Sequence, residues 1–80
     1  MNFNEVEVFI SEDCGEECHQ LIQFFKERRI PYCIRNITKN KSWIKKLHDH
    51  HVYVTPVVFY GDSNYILGYH RSKLEEIFGS

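Results

Sequence analysis

The sequence predicts an α/β domain in which a four-stranded mixed sheet is flanked by three helices, in the order βαβαββα. The first half contains, within about 35 residues, a strand-like segment, a helix-like segment and a second strand-like segment. This order is typical of parallel strands joined by a crossover helix. In the second half, a helix is followed by two short strands separated by a turn, which indicates a hairpin, and then by a final helix. Because neither half can bury a core alone, we expect both to share one sheet.

The length and composition indicate one globular domain, residues 1–80. A hydrophobic content of 42% with 15% aromatic residues excludes a disordered chain. The net charge of −1 provides no basic field that would attract nucleic acid or anionic lipid. No apolar run is long enough to cross a bilayer, and the first residues lack the features of a signal peptide, so we expect a cytoplasmic protein.

The first half should form a βαβ unit. Residues 6–10 read as a strand that becomes fully apolar at its end, as is typical of a central strand. Residues 16–29 show apolar spacing at i, i+3, i+4 and i+7, with acidic residues in the first turn and basic residues in the last, which predicts a helix. Pro31 should end this helix, and residues 32–38 should form the second strand, parallel to the first.

The third strand-like segment is interrupted by proline. Ser42 is placed to cap a short helix over residues 43–50. Residues 52–60 then read as a strand that contains Pro56. Proline is disfavoured inside a strand because it removes a hydrogen-bond donor, so either a cis peptide bond or a plain edge or turn position is expected at Thr55–Pro56. The backbone just before a cis proline at the start of a strand could pair with an extended peptide or thiol substrate.

The last third of the chain predicts a hairpin and a helix. Residues 61–64 have turn composition, and residues 65–67 should pair back on the preceding strand. Gly68 should end that strand. Ser72 and Glu75 have the spacing of a capping box, which predicts the start of the final helix.

Cys14 and Cys18 lie where the first strand gives way to the first helix. Unpaired backbone N–H groups and the positive end of the helix dipole stabilise a thiolate there. We expect Cys14 to be the exposed nucleophile, and Cys18, one turn inside on the apolar face, to be the resolving thiol. Residues four apart on a helix have Cα atoms about 6 Å apart, near the upper end of the usual disulfide range of about 4.4–6.8 Å.

Other interpretations of these residues stay open at this point. The two cysteines could be unrelated thiols. They could also bind a metal together with His19 and with histidines elsewhere in the chain, although structural zinc sites usually use two close pairs of ligands and no second cysteine pair exists. Cys33, in the second strand, is predicted to be a small core residue. The histidines at 48, 50 and 51 are interpreted as a solvated helix end.

A basic cluster surrounds the predicted second helix. It consists of Lys39, Lys41, Lys45 and Lys46. We interpret it as a solvated face, with a docking surface as the alternative.

Several segments together resemble the glutaredoxin family, which has the thioredoxin-like fold. They are Phe9–Cys14, Ile30–Tyr32, Val54–Phe59 and Ile66–Tyr69. The resemblance covers residues 5–78. It is strongest to the small glutaredoxin-like hydrogen donors of ribonucleotide reductase, the redoxins.

The resemblance implies a thiol–disulfide oxidoreductase that acts as an electron donor to protein disulfides, without a bound cofactor and as a monomer. It assigns Cys14 as nucleophile and Cys18 as resolving thiol. It also assigns substrate binding to Val54, Thr55 and the cis proline Pro56, and to two residues near the last helix. These two are Gly68 and Tyr69, the latter of which could equally pack into the core.

The chain departs from the family pattern in three ways. The family motif is Cys-x₂-Cys, whereas here three residues separate the cysteines. The glutathione-binding Gly-Gly pair and following acid are replaced by Leu67–Gly68 and by residues 70–72 without an acid. Carboxylates crowd the nucleophile and disfavour its thiolate; they are Glu12, Asp13, Glu16 and Glu17.

These departures affect the expected partner and activity. We expect a thioredoxin reductase or a similar protein reductant rather than glutathione. The alternative functions are a non-catalytic thioredoxin-fold binding or regulatory module and a metal chaperone.

Overall fold

The computed structural model describes residues 6–61 and 64–79. Its elements are β1 Glu7–Ile10, α1 Glu16–Glu27, β2 Cys33–Asn36, α2 Ser42–Asp49, β3 Val57–Phe59, β4 Tyr65–Leu67 and α3 Arg71–Phe78. The predicted order βαβαββα is therefore confirmed. Within the described residues, no helix has the length and apolar character needed to cross a membrane.

The sheet has the strand order β2-β1-β3-β4. Val8 in β1 pairs with Ile34 of the parallel strand β2 and with Val58 of the antiparallel strand β3. Strand β4 then pairs antiparallel with β3. As its apolar end predicts, β1 is a central strand, whereas β2 and β4 are the two edges.

Side chains on the two faces of the sheet form two separate core clusters, because successive strand residues point to opposite faces. Val8 belongs to the cluster formed with α1 and α3, where Leu21, Phe25 and Leu74 are fully buried. Its neighbour Phe9 belongs to the other cluster. That second cluster is formed by Phe9, Leu47, Val52, Val57 and Phe59. The sheet is thus covered by two helices on one face and by α2 on the other.

Helix α1 is shorter than the periodicity predicts. It ends at Glu27, and Arg29 adopts a left-handed conformation with φ 57°. The Ile30 amide donates a hydrogen bond to the Phe25 carbonyl oxygen at 3.0 Å. This pattern resembles a left-handed C-terminal cap, and the helix ends four residues before Pro31.

Both predicted side-chain caps are wrong. Helix α2 begins at Ser42 itself, with Lys41 as the preceding residue, and the Ser42 hydroxyl donates to Asn40 Oδ1 at 2.6 Å. Helix α3 begins at Arg71, and no side chain caps it, so Ser72 lies inside the first turn. Helix α2 starts one residue earlier, and helix α3 two residues earlier, than a cap at the serine requires.

The proline-containing segment forms a much shorter strand than the predicted 52–60. Strand β3 covers only Val57–Phe59, and the Thr55–Pro56 peptide bond before it is cis. The Tyr60 amide donates to the Asn64 carbonyl oxygen at 3.0 Å and closes the hairpin. Two residues of the predicted turn, 62 and 63, lie outside the described residues.

Cys33 is exposed, so its prediction as a core residue is wrong. It begins β2, which is an edge strand of the described sheet and pairs there with β1 alone. The next residue, Ile34, is also 45% exposed. The apolar composition of this segment does not reveal that one side of the strand has no neighbour.

Lys46 is not part of a solvated basic face, which corrects the interpretation of the lysine cluster. It donates to Glu7 of β1, and Arg35 of β2 donates to the same carboxylate at 3.1 Å. Burial of Glu7 would raise its pKa, but the hydrogen bonds and charges of Lys46 and Arg35 outweigh burial and lower the pKa of Glu7 below its usual value. This ion cluster attaches α2 to the sheet.

Candidate active site

The cysteine pair lies at the start of α1. Cys14 is in the loop before the helix, and Cys18 is the third residue of the helix. The two form a disulfide with Cα atoms 5.8 Å apart, within the usual range. Cys14 is half-buried, whereas Cys18 is only 7% exposed. Because Cys14 lies outside the helix, the loop conformation and not helical spacing brings the sulfurs together.

Gly15 gives this loop its shape. It has φ 75° and ψ −141°, a conformation open essentially to glycine, and it immediately precedes the helix. The Cys14 amide donates to the Ser11 carbonyl oxygen at 3.2 Å, which closes a turn just before the glycine. The residue that lengthens the motif is therefore accommodated by a turn and a glycine ahead of the helix.

Ser11 connects the Cys14 loop to the proline segment, a contact that the sequence alone does not predict. Its hydroxyl donates to Asp13 Oδ1 at 2.8 Å and lies 2.8 Å from Thr55 Oγ1. A serine hydroxyl has one hydrogen, so the Thr55 hydroxyl must be the donor in the second contact. The one feature of the sequence that could have indicated this role is that Ser11 is a small residue with a hydroxyl group directly after a buried strand.

The cis proline segment is held from the opposite side by Gly68. The Gly68 amide donates to the Pro56 carbonyl oxygen at 2.7 Å. Gly68 has φ 72°, which L side chains rarely adopt. Pro56 is fully buried, whereas Val54, two residues earlier, is 55% exposed. The chain thus emerges to the surface just before the proline.

A groove of about 730 Å³ joins Cys14 to this exposed segment. It lies between α2 and the two loops that precede α1 and β3, and both Val54 and Thr55 line it. Its apolar lining is formed by Ile37, Ile44, Leu47 and Val52. An extended peptide could therefore lie beside the sulfur of Cys14 with apolar side chains facing α2.

The structure separates the other two predicted substrate-binding residues from this groove. A Cβ atom added at Gly68 would lie 3.5 Å from Glu17 Oε2, on the α1 side. Tyr69 lines a second depression of about 200 Å³ together with Phe24 and Arg71. Tyr69 also packs against the core cluster on the face covered by α1 and α3.

The acidic residues near Cys14 are on the surface. All four predicted carboxylates are exposed, and Asp13 also lines the groove. They are Glu12, Asp13, Glu16 and Glu17. An anionic group that approaches Cys14 on the side of its own loop meets this negative charge, which salt should screen.

Among residues 6–61 and 64–79, no three histidine, cysteine, aspartate or glutamate side chains are grouped so that they could hold a metal ion.

Comparisons with known proteins give a consistent result. A search of curated proteins found no match. Among solved structures, a mutant of the thioredoxin-like protein BC3987 has a TM-score of 0.83 and 25% identity, covering 95% of this chain and 96% of that one. The glutaredoxin from Archaeoglobus fulgidus has a TM-score of 0.78 and 26% identity, covering 94% and 86%. The glutaredoxin-like protein NrdH-redoxin from Escherichia coli, at 17% identity, shares the fold with a TM-score of 0.80, covering 95% and 97%.

These structures confirm the predicted thioredoxin-like fold. The sequence also matches the family model of glutaredoxin over residues 6–65, which is more than half of the chain. The chain therefore belongs to the glutaredoxin family.

Proposed function

We propose that this protein is a thiol–disulfide oxidoreductase that reduces protein disulfides through Cys14 and Cys18. The main support is the cysteine pair itself, with Cα atoms 5.8 Å apart at the start of α1. The groove supplies the second support, because Cys14 lines it whereas Cys18 is buried. A substrate disulfide in the groove would meet Cys14 first.

The proposed reaction has two exchange steps. The Cys14 thiolate attacks one sulfur of the substrate disulfide, forms a mixed disulfide and releases the other substrate sulfur as a thiolate that takes up a proton. The Cys18 thiol loses its proton and attacks the Cys14 sulfur, which releases the second substrate thiol. Two electrons pass to the substrate, and the protein is left with the Cys14–Cys18 disulfide.

We propose that the segment before the cis proline holds the substrate. Val54 and Thr55 line the groove beside Cys14, and Val54 is exposed. Pro56 supports this segment from inside the protein, and Gly68 attaches Pro56 to the end of β4. Tyr69, which is half-buried, would contribute to substrate binding from the α1 side.

A protein dithiol, such as that of a thioredoxin reductase, is the reductant we propose for the Cys14–Cys18 disulfide. The chain lacks the Gly-Gly pair and the acid that hold glutathione in the family pattern, since Leu67–Gly68 and residues 70–72 occupy these positions. The exposed carboxylates near Cys14 would also repel glutathione, which is itself net negative.

We also propose that residues 1–80 act as a single monomeric domain in the cytoplasm. Cys33 supports this placement, because it is exposed and has no disulfide partner. An exposed unpaired cysteine in an oxidising compartment would invite intermolecular disulfides.

Cysteine variants test the proposed function. Cys14→Ser should abolish catalysis of the reduction of insulin disulfides by dithiothreitol, and Cys18→Ser should accumulate mixed disulfides that mass spectrometry detects. Cys33→Ser is the matched control and should retain activity. Reversed phenotypes for the first two variants would exchange the two roles. No catalysis by the wild-type protein would favour a binding module instead.

The reductant is tested by comparing two reducing systems at equal electron supply. One contains thioredoxin reductase with NADPH, and the other contains glutathione, glutathione reductase and NADPH. We expect faster turnover of one disulfide substrate with the first system. Efficient glutathione-coupled turnover that does not change with salt would contradict the proposal.

A further inference from the structure

We propose that the groove beside Cys14 selects disulfides whose cysteine adjoins a short extended peptide segment with one acidic and one apolar side chain. The proposal rests on the thiol–disulfide exchange proposed above and adds the chemistry that a substrate must present. Cys14 lines this groove, so whatever binds there must carry the disulfide.

The α2 wall of the groove has a repeating arrangement of side chains. Lys41, which directly precedes α2 and has helical backbone angles, lines the groove together with Ile44 and His48 of α2. Residues three and four apart lie on one face of a helix with Cβ atoms about 5–6 Å apart. An apolar side chain therefore lies between two side chains that can donate hydrogen bonds. We call this the α2 stripe.

The spacing of the α2 stripe suits an extended peptide. Alternate residues of an extended chain point to the same side and lie about 6.6 Å apart, from a rise of about 3.3 Å per residue. An acidic and an apolar residue two positions apart would thus face Lys41 and Ile44 at the same time, with His48 one turn further along the α2 stripe. Leu47 and Val52 extend the apolar lining behind them.

Lys41 is available to bind a carboxylate. Among the described residues it forms no ion pair, unlike Lys46, which is occupied by Glu7. His48 is exposed, and its ring lies against that of Tyr53 with 5.0 Å between centroids. An imidazole carries at least one N–H donor in either protonation state.

Charge complementarity also sets the side of the groove on which the acid binds. Within the described lining of the groove, the one carboxylate is Asp13, which belongs to the Cys14 loop and accepts the Ser11 hydroxyl. A substrate carboxylate is repelled at that wall and attracted at the α2 stripe. A neutral or basic peptide lacks this orienting force.

The test uses short peptides that carry one cysteine in a mixed disulfide with 2-mercaptoethanol. Each peptide contains a leucine and, two positions away, either a glutamate or a glutamine. The two peptides of a pair differ only in this glutamate or glutamine, which either follows or precedes the leucine. Both placements relative to the cysteine are synthesised. Second-order rate constants for reduction by the fully reduced protein are measured at low and high salt.

We expect the glutamate peptide to react about threefold faster than the glutamine peptide at low salt in at least one placement, the size of an exposed ion pair. High salt should reduce this preference because the charges are exposed. Lys41→Gln should lower it, and Lys41→Glu should reverse it. Lys45→Gln is the matched control, since Lys45 is an exposed residue of α2 that does not line the groove.

Equal rates for both peptides in both placements would overturn the proposal, as would a preference that persists in the Lys41→Glu variant. The rate at which the protein reduces bis(2-hydroxyethyl) disulfide, which carries no charge, tests the proposed function separately from the peptide preference. If that disulfide is not reduced, NMR titration of the oxidised protein with the peptides, their cysteine replaced by serine, still tests the groove. Shifts at the α2 stripe that favour the glutamate peptide would support the proposal, and equal or absent shifts would overturn it.

Discussion

The hydroxyl groups of Ser11 and Thr55 lie 2.8 Å apart and join the loop that carries Cys14 to the segment that ends at the cis proline. The two residues are 44 positions apart in sequence. Thr55 lines the groove, and Ser11 accepts its hydrogen while donating to Asp13. The reactive loop and the proposed substrate-binding segment are therefore held together by a side-chain contact.

Removal of this contact should show energetic coupling between the two residues. We expect Ser11→Ala and Thr55→Val each to lower the free energy of unfolding by about 1 kcal/mol, the usual contribution of a part-buried hydrogen bond. The double variant should lose less than the sum, which urea denaturation can measure. Ser72→Ala, at an exposed position, is the control. Strictly additive losses would show that the contact contributes nothing.

The Glu7 ion cluster should make stability depend on pH in the acid range. The pKa of Glu7 in the folded protein is below the ordinary value of 4.5. A carboxyl group of this kind stabilises the fold above its ordinary pKa and ceases to do so as the pH falls through the folded-state pKa. The Glu7 contribution should therefore be complete at neutral pH, begin to decline near pH 4.5 and disappear as the pH falls through the lower pKa of the folded state.

The Glu7→Gln variant measures that contribution. At pH 7 it should be less stable than the wild type by about 1 kcal/mol, since the side chains of Lys46 and Arg35 remain partly exposed and can be hydrated. Urea titrations at decreasing pH should show this difference shrinking. Glu76→Gln, at an exposed position of α3, provides the comparison. A difference that stays constant with pH would contradict the role of the ion cluster.

Gly15 should be intolerant of substitution because of its backbone conformation. Its φ of 75° and ψ of −141° are strained for a residue with a Cβ atom, although no other atom of the described residues lies within 4 Å of that Cβ. We expect Gly15→Ala to lower the free energy of unfolding of the oxidised protein by about 1–3 kcal/mol. Gln20→Ala, at an exposed position inside α1, should have little effect. Equal stability of Gly15→Ala and the wild type would mean that the loop adopts another conformation.

The acidic residues at the start of α1 should disfavour the Cys14 thiolate while they stabilise the helix. Glu16→Gln with Glu17→Gln should increase the fraction of Cys14 thiolate at neutral pH, because like charges disfavour the anion. Alkylation rates against pH in a Cys33→Ser background would measure this. The same change should lower the free energy of unfolding by about 0.3–1 kcal/mol per residue, because the carboxylates no longer interact with the positive end of the helix dipole.

The matched control for this experiment is Glu76→Gln, which removes one exposed carboxylate from α3. Its alkylation profile should coincide with that of the parent. If the Glu16 and Glu17 changes also leave the profile unchanged, the electrostatic explanation fails.

Local patterns in the sequence were sufficient for the order of the elements and for the likeness to glutaredoxins. The spacing of apolar residues distinguishes strands from helices within a few residues, so the βαβαββα order can be predicted without knowledge of the tertiary structure. The apolar end of β1 likewise indicated its central place in the sheet. The proximity of Cys14 and Cys18 was predictable because only three residues separate them.

The helix starts were less predictable, because capping depends on competition between neighbouring residues. Ser42 and Ser72 have the correct composition and spacing for caps, but both lie inside the first turn. Sequence spacing alone cannot distinguish a cap from a first-turn residue when the boundary can shift by one or two positions.

Only the tertiary structure decided which side chains meet across the sheet and around the groove. Cys33 is exposed because β2 is an edge, and Lys46 is occupied because α2 places it on Glu7 of β1. The contact of Ser11 with Thr55 likewise requires two loops that are distant in the chain. Local periodicity carries no information about such contacts, since they depend on how complete elements pack and not on the spacing of residues within one element.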